Sequence, residues 1–420
     1  MNVRRSAAVL AATAVIGAAV PAVAADPSPS ASRAFPAALY GGTDPTYDGV
    51  WRQSLALLAQ HTAGVKPAAT SVDWLTGQQC ASGAFAPYRA DPATPCDAKL
   101  MVDTNNTAAA VQALAALGGH DAATDKAVAW LKSVQNKDGG WGYAPGGASD
   151  TNSTSVVVGA LTAVGEKPAD VHKGGQGPYD ALVKLALPCE GEGEGEGEGA
   201  AAAADAGAFA FQPDKKGKLV ANADATAAGV VGALGKGLVV EPAAQAEAAA
   251  CSGSGSPSPQ QAAANGAAYL TKALAKDGHL NSVLPGSTDQ PDHGNTADAV
   301  VALAAQGQAA QAKKSLEWLE QNSSAWAAQS GPAAYAQLIF AAHATGTDPR
   351  DFGGTDLVRQ LNATGPAPQT ATAKSENADE TTDETDDSGS GDVWWMVGAG
   401  LAAGAGIGFL LSSRNKRRQP

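Results

Sequence analysis

Three aspartates stand four residues ahead of a threonine and eleven ahead of a leucine: Asp103 before Thr107 and Leu114, Asp150 before Thr154 and Leu161, and Asp292 before Thr296 and Leu303. Asn222 before Thr226 makes a looser fourth copy. A carboxylate so placed can act as a general acid or base, or it can cap the free amides of a helix. Each threonine is followed by Ala, Val, Gly and Leu, as in 108–114 and 155–161. Asp or Asn just before an apolar helix accepts backbone N–H bonds and suits the positive end of the helix dipole, so capping is the expected role. The same placement permits a second one. Parallel helix N-termini with polar caps and nearby aromatics form a cup for a ligand. The candidate binding residues are Asp103, Asp150, Asp292, Asn105, Asn106, Asn152 and His293, with Trp141, Tyr143 and Tyr88 in the neighbouring loops. Trp141 is also expected to plug a Gly-aromatic turn.

The elements that must position these residues repeat. Trp74-Leu75 is followed by Gln79, Gly83 and Phe85, and Trp130-Leu131 by Gln135, Gly139 and Trp141. Both read aromatic-Leu-x3-Gln-x3-Gly-x-aromatic. Eroded copies begin at Tyr269-Leu270, leading to Gly278 and Leu280, and at Trp318-Leu319, leading to Trp326. The segment at 127–134 is amphipathic with helical period, whereas the segments after the threonines are apolar nearly all round and must be buried on most sides. The unit is therefore helix, Gly-aromatic loop, capped helix, with mixed helices outside and small-residue helices inside. A first half-unit near 47–63 precedes units near 70–118, 124–165, 178–236, 265–307 and 314–346. Such pairs stack into a solenoid or a closed ring, and five to six hairpins are enough to close one.

The Trp130-Leu131, Gln135, Gly139, Trp141 spacing resembles the QW motif of squalene–hopene and oxidosqualene cyclases. The wider set resembles the prenyltransferase/squalene-cyclase repeat over about residues 45–347. The resemblance implies an all-α fold, the α/α toroid, and implies function only weakly, because one fold hosts many functions. The cyclase reaction needs a strong acid from a DxDD motif. The nearest matches, 103–106 and 150–153, carry amides or Ser where the later acids would stand, and an amide cannot serve as that acid. Prenyltransferase zinc ligands and a thioester motif are likewise not seen: the six histidines form no ligand spacing. The reading that follows is a non-catalytic binding protein that captures a small molecule or glycan at the toroid mouth and passes it to a membrane transporter, with no residue pattern that points to a cofactor. The alternatives are an extracellular toroid enzyme, terpenoid-cyclase-like or glycan-modifying, in which Asp103, Asp150 and Asp292 share one cavity, and a protein-binding scaffold.

The ends indicate where such a protein works. Residues 1–24 carry Arg4 and Arg5, an apolar stretch and Ala22-Val23-Ala24, the pattern of a cleaved signal peptide. Residues 35–362 form the repeat body. Residues 363–392, rich in Thr, Ser and acid, cannot bury enough surface to fold and are expected to form an extended stalk. Residues 393–411 are apolar and uncharged, just long enough to span a bilayer. Trp394-Trp395 suits the outer interface, and the basic tail of residues 412–420 suits the cytoplasm. The expected place is thus the cell membrane, with one C-terminal transmembrane helix and the body outside. The net charge of −13 argues against a nucleic-acid partner. Four cysteines in an exported chain are expected to be oxidised. Of the three possible pairings, Cys80–Cys96 and Cys189–Cys251 are favoured because each brackets one irregular stretch, and no CxxC or nearby His supports a metal. The Glu-Gly alternation of 190–199 is expected to be a solvated loop.

Overall fold

The computed structural model describes residues 35–189, 204–248, 250–253, 256–283 and 290–370. The segments read as signal peptide, membrane helix and basic tail, the Glu-Gly run and most of the segment read as stalk lie outside the described residues. Among the described residues no helix is long and apolar enough to cross a membrane.

An inner layer holds α1 (Gly49–Thr62), α3 (Thr104–Leu117), α5 (Thr151–Ala163), α7 (Ala223–Ala233), α9 (His293–Ala305) and α12 (Pro332–Thr345). Each packs on the next in that order, and α12 packs back on α1, so the ring closes. The outer partners are α2 (Ala69–Gly77), α4 (Asp121–Ser133), α6 (Pro178–Lys184), α8 (Pro259–Ala275) and α10 (Ala309–Asn322). Short α11 (Ser324–Ser330) joins α10 to α12, and α13 (Leu357–Asn362) packs on α12 and α1. The contrast between the layers follows from composition. α5 buries nine of its 13 residues, many of them small or β-branched. Amphipathic α4 buries four of 13.

The repeat motif is a set of joints. The Gln135 amide donates to Gly139 O at 2.8 Å and, in the next unit, to Val171 O at 3.4 Å. Gln79 does the same with Gly83 O and Ala123 O. The glycine is required: Gly139 has φ +90°, and a Cβ there would lie 2.2 Å from Gly177 O. The threonine is the second joint. Its Oγ1 accepts the backbone N–H of the loop aromatic: Phe85 to Thr107 (2.9 Å), Trp141 to Thr154 (3.1 Å) and Phe209 to Thr226 (2.9 Å). Leu280 fills this place for Thr296 at 3.0 Å. It lies in β1 (Leu280–Asn281), which pairs antiparallel with β2 (Pro291–Asp292). A third joint links neighbours. Thr104 N–H donates to Tyr143 O, and Thr151 N–H to Phe211 O.

The disulfides are Cys80–Cys96 and Cys189–Cys251, the favoured pairing. Closing a loop like the shorter one stabilises by about 3 kcal/mol in the chain-entropy account. The start of the segment read as stalk lies against the body. Tyr40 hydroxyl donates to Pro366 O, and Gln369 N–H donates to Lys66 O. Composition favours a solvated chain there, but Tyr40, fully buried, offers a ring on which Gly365 packs closely.

Candidate functional site

The four cap residues stand as their spacing implies. Asp103 Oδ1 accepts Asn106 N–H at 2.7 Å, Asp150 Oδ1 accepts Ser153 N–H at 2.6 Å, and Asp292 Oδ1 accepts Asn295 N–H at 3.0 Å. Asn222 caps α7 in the same way at 2.8 Å. Asn106 turns its side chain back onto Asp103 Oδ2. These bonds spend the carboxylates on their own helices, which is why none of Asp103, Asp150 and Asp292 lines the central cavity. Burial still pushes Asp103 and Asp150 above the usual carboxylate range, with the cap bonds holding them back.

Two residues after the cap, the helix surface has turned inward. Asn105 of α3, Asn152 of α5 and Asp224 of α7 all sit at that step, and all line a cavity of about 230 Å³ inside the ring. At the same step α9 has Gly294, beside Gln337 of α12, and its carboxylate comes one turn deeper, at Asp298. Gln337 Nε2 lies 3.3 and 3.1 Å from the two Asp298 oxygens. Asn152 Nδ2 donates to Asp224 Oδ2 at 2.9 Å. Burial raises the Asp224 carboxyl. Burial first, then the charge of Asp224, pushes Asp298 up to about 7.

The rest of the wall is mostly hydrocarbon: Leu55, Val156, Val231, Val301 and Phe340, with the Trp51 ring. Residues 235–240 close the end where the inner helices finish. Leu238 N–H donates to Gln112 Oε1, Lys236 Nζ to Ala305 O, and Thr162 Oγ1 to Gly235 O. Burial lowers the Lys236 ammonium. Gly237 lies so close to Gly159 that a Cβ on Gly159 would meet its Cα at 2.7 Å. The result is a blind apolar chamber, polar at the end where the helices begin.

The remaining sequence candidates lie elsewhere. Trp141 is fully buried, and its indole N–H donates to Leu131 O at 2.7 Å, so it plugs the turn. Tyr143 is 45% exposed beside Asp103, and burial together with that charge raises its phenol. Tyr88 stacks on Trp74, with centroids 6.4 Å apart. His293 lies between Trp318 and Trp326, with centroids at 4.9 and 5.4 Å, and burial lowers it. Asn105 and Asn152, expected at the mouth of the ring, line the cavity instead, together with Asp224, Asp298, Gln337 and Trp51, which the Asp-x-x-x-Thr spacing does not single out. A signal for the carboxylates was present. Asp224 and Asp298 are the only acidic residues in α7 and α9, and an acid on an otherwise apolar inner helix has a buried partner or a buried task.

Residues 51–209 match the family described as Prenyltransferase alpha-alpha toroid domain. Over 63 residues the chain is 43% identical to drimenyl diphosphate synthase of Streptantibioticus cattleyicolor, a match covering 15% of this chain and 11% of that enzyme. Among solved structures it is similar to ent-copalyl diphosphate synthase from Streptomyces platensis, with a TM-score of 0.46 and 16% identity over 71% of this chain and 50% of that one. A protein from Actinoplanes is also similar, with a TM-score of 0.46 and 13% identity over 75% of this chain and 96% of that one. At that distance these likenesses say nothing of what this chain acts on.

Proposed function

We propose that this α/α toroid is an exported, membrane-anchored protein that holds one small, largely apolar molecule inside its ring. The supporting observation is the blind cavity of about 230 Å³, walled by hydrocarbon and polar at one end. A cavity of ~150 Å³ already admits benzene, so a monocyclic or short branched body fits and an extended glycan does not. The site is thus the interior of the ring and not the loops at its mouth. The disulfides suit an oxidising, extracellular setting.

Native mass spectrometry of the full-length chain, solubilised from its source membranes, tests this. The expected result is a bound small molecule that is lost in Ala228→Trp, which fills the cavity while a circular-dichroism melt still reports the helices. An empty chain recovered with one specific protein would replace the binding reading with the scaffold.

A second reading rests on Asp298. A carboxyl pushed up to about 7, bonded to Gln337 at an apolar cavity, is part protonated at neutral pH and can give a proton to a substrate. On this reading the chain is an acid-catalysed enzyme whose acid stands outside the motif that the sequence resemblance would use. Conversion of the captured molecule by the wild type, absent in Asp298→Asn with capture intact, would establish it. Capture without conversion would exclude it.

A further inference from the structure

We infer that the ligand of the ring cavity is a small organic cation, an ammonium on an apolar body, whose charge is met by Asp224 and Asp298. The inference rests on the binding reading above and names the ligand class.

Three observations carry it. First, above pH 7, where Asp298 gives up its proton, two carboxylates face the chamber against the one ammonium of Lys236. Asp224 and Asp298 each receive an amide donor, from Asn152 and Gln337, but among the described residues neither has a Lys, Arg or His partner. Lys236, the cation of the chamber, is tied to Ala305 O beyond the closed end. A buried carboxylate without a counter-charge is costly, and a cationic ligand would supply one.

Second, unpartnered polar atoms in the wall are oxygens able to accept. The Asn105 and Asn152 amide oxygens are buried without a hydrogen-bond donor, whereas the unpartnered Ser155 hydroxyl lies against Gly232 of α7 and is not counted with them. Asn152 is oriented by its own bond to Asp224, so its oxygen cannot be exchanged for its nitrogen without losing that bond. An alkylammonium brings donors and no acceptor, which matches this set.

Third, Trp51 and Phe340 are among the residues that line the same space, and aromatic side chains attract cations. A hydrated divalent metal fits less well. Mg²⁺ keeps several waters, the walls are mostly hydrocarbon, and among the described residues no group of three metal-ligating side chains forms.

The test uses three probes of similar shape and different charge on the full-length chain: cyclohexylamine, cyclohexanol and cyclohexanecarboxylate, titrated by calorimetry at pH 8. Cyclohexylammonium is expected to bind at least tenfold more tightly than cyclohexanol, and the carboxylate least. Asp298→Asn and Asp224→Asn, made singly so that each fold can be verified by its melt, are each expected to lower the ammonium-to-alcohol ratio several-fold. Equal affinity for ammonium and alcohol, or unchanged ratios in both folded variants, overturns the cation and leaves the binding cavity standing. Binding of none of the three overturns both.

Discussion

The wall of the chamber built from α3 and α5 and the wall built from α7 and α9 share one backbone plan and differ in charge. Thr107, Thr154, Thr226 and Thr296 make the same bond to the preceding loop on both sides. The inward step of the first wall carries Asn105 and Asn152, that of α7 carries Asp224, and α9 places Asp298 a turn deeper. The difference teaches that the repeat holds the joints constant while the inward positions diverge. Those joints are what a closed ring cannot lose. The inward positions face the cavity and bond only to one another across it, as Asn152 does to Asp224 and Gln337 to Asp298, so they can take on a ligand's chemistry while the joints stay intact.

The comparison can be broken most severely at a joint. Trp141→Ala is expected to cost about 3–5 kcal/mol in urea unfolding, since it empties a fully buried site and strands the Leu131 carbonyl. Its counterpart on the acidic side, Leu280→Ala, is expected to cost less, about 2–3 kcal/mol, because Leu removes less buried volume. Equal costs would mean that size at the plug does not matter.

The charge difference is tested by pH. Asp298 is pushed up to about 7 when folded and returns to about 3.9 when unfolded. Between those values the unfolded chain has released a proton that the folded chain keeps, so the Asp298 contribution to stability falls as pH rises from about 4 to about 7 and is flat above. Asp298→Asn should therefore be more stable than wild type at pH 8 by up to about 4 kcal/mol and match it more closely at pH 4. A difference independent of pH would show that the carboxyl does not titrate in this way.

Making the first wall acidic sharpens the contrast. Asn152→Asp would replace the donor 2.9 Å from Asp224 by a second carboxylate. Its melting temperature should drop at pH 8 and recover partly at pH 5, as one of the pair takes up a proton. The smallest effects are expected at the caps. Asp103→Ala and Asn222→Ala should each cost about 1 kcal/mol, the same on both walls. A larger loss at Asp103 would reveal a role beyond capping.

Much of the fold was legible in the sequence because its signals are local. Helical periodicity, the Gln-x3-Gly turn and the Asp-x-x-x-Thr cap each act within a few residues, so the inner and outer helices and the capping role of Asp103, Asp150 and Asp292 could be read from spacing. The favoured disulfides followed because each pair spans one irregular stretch. The cavity was far less legible. Asn105 and Asn152 could be named, but Asp224 lies 72 positions from its partner Asn152, and Asp298 lies 39 from Gln337. Such pairs meet only once the ring has closed.

The chain by itself determined that this protein is a stack of helix pairs, because each helix reports its own burial through its apolar pattern. Only the tertiary structure decided that the ring closes from α12 to α1, that residues 235–240 seal one end, and that Asp224 and Asp298 face one apolar chamber. The physical reason is that a side chain's direction is set by its own helix, but what it faces is set by helices far away in the chain.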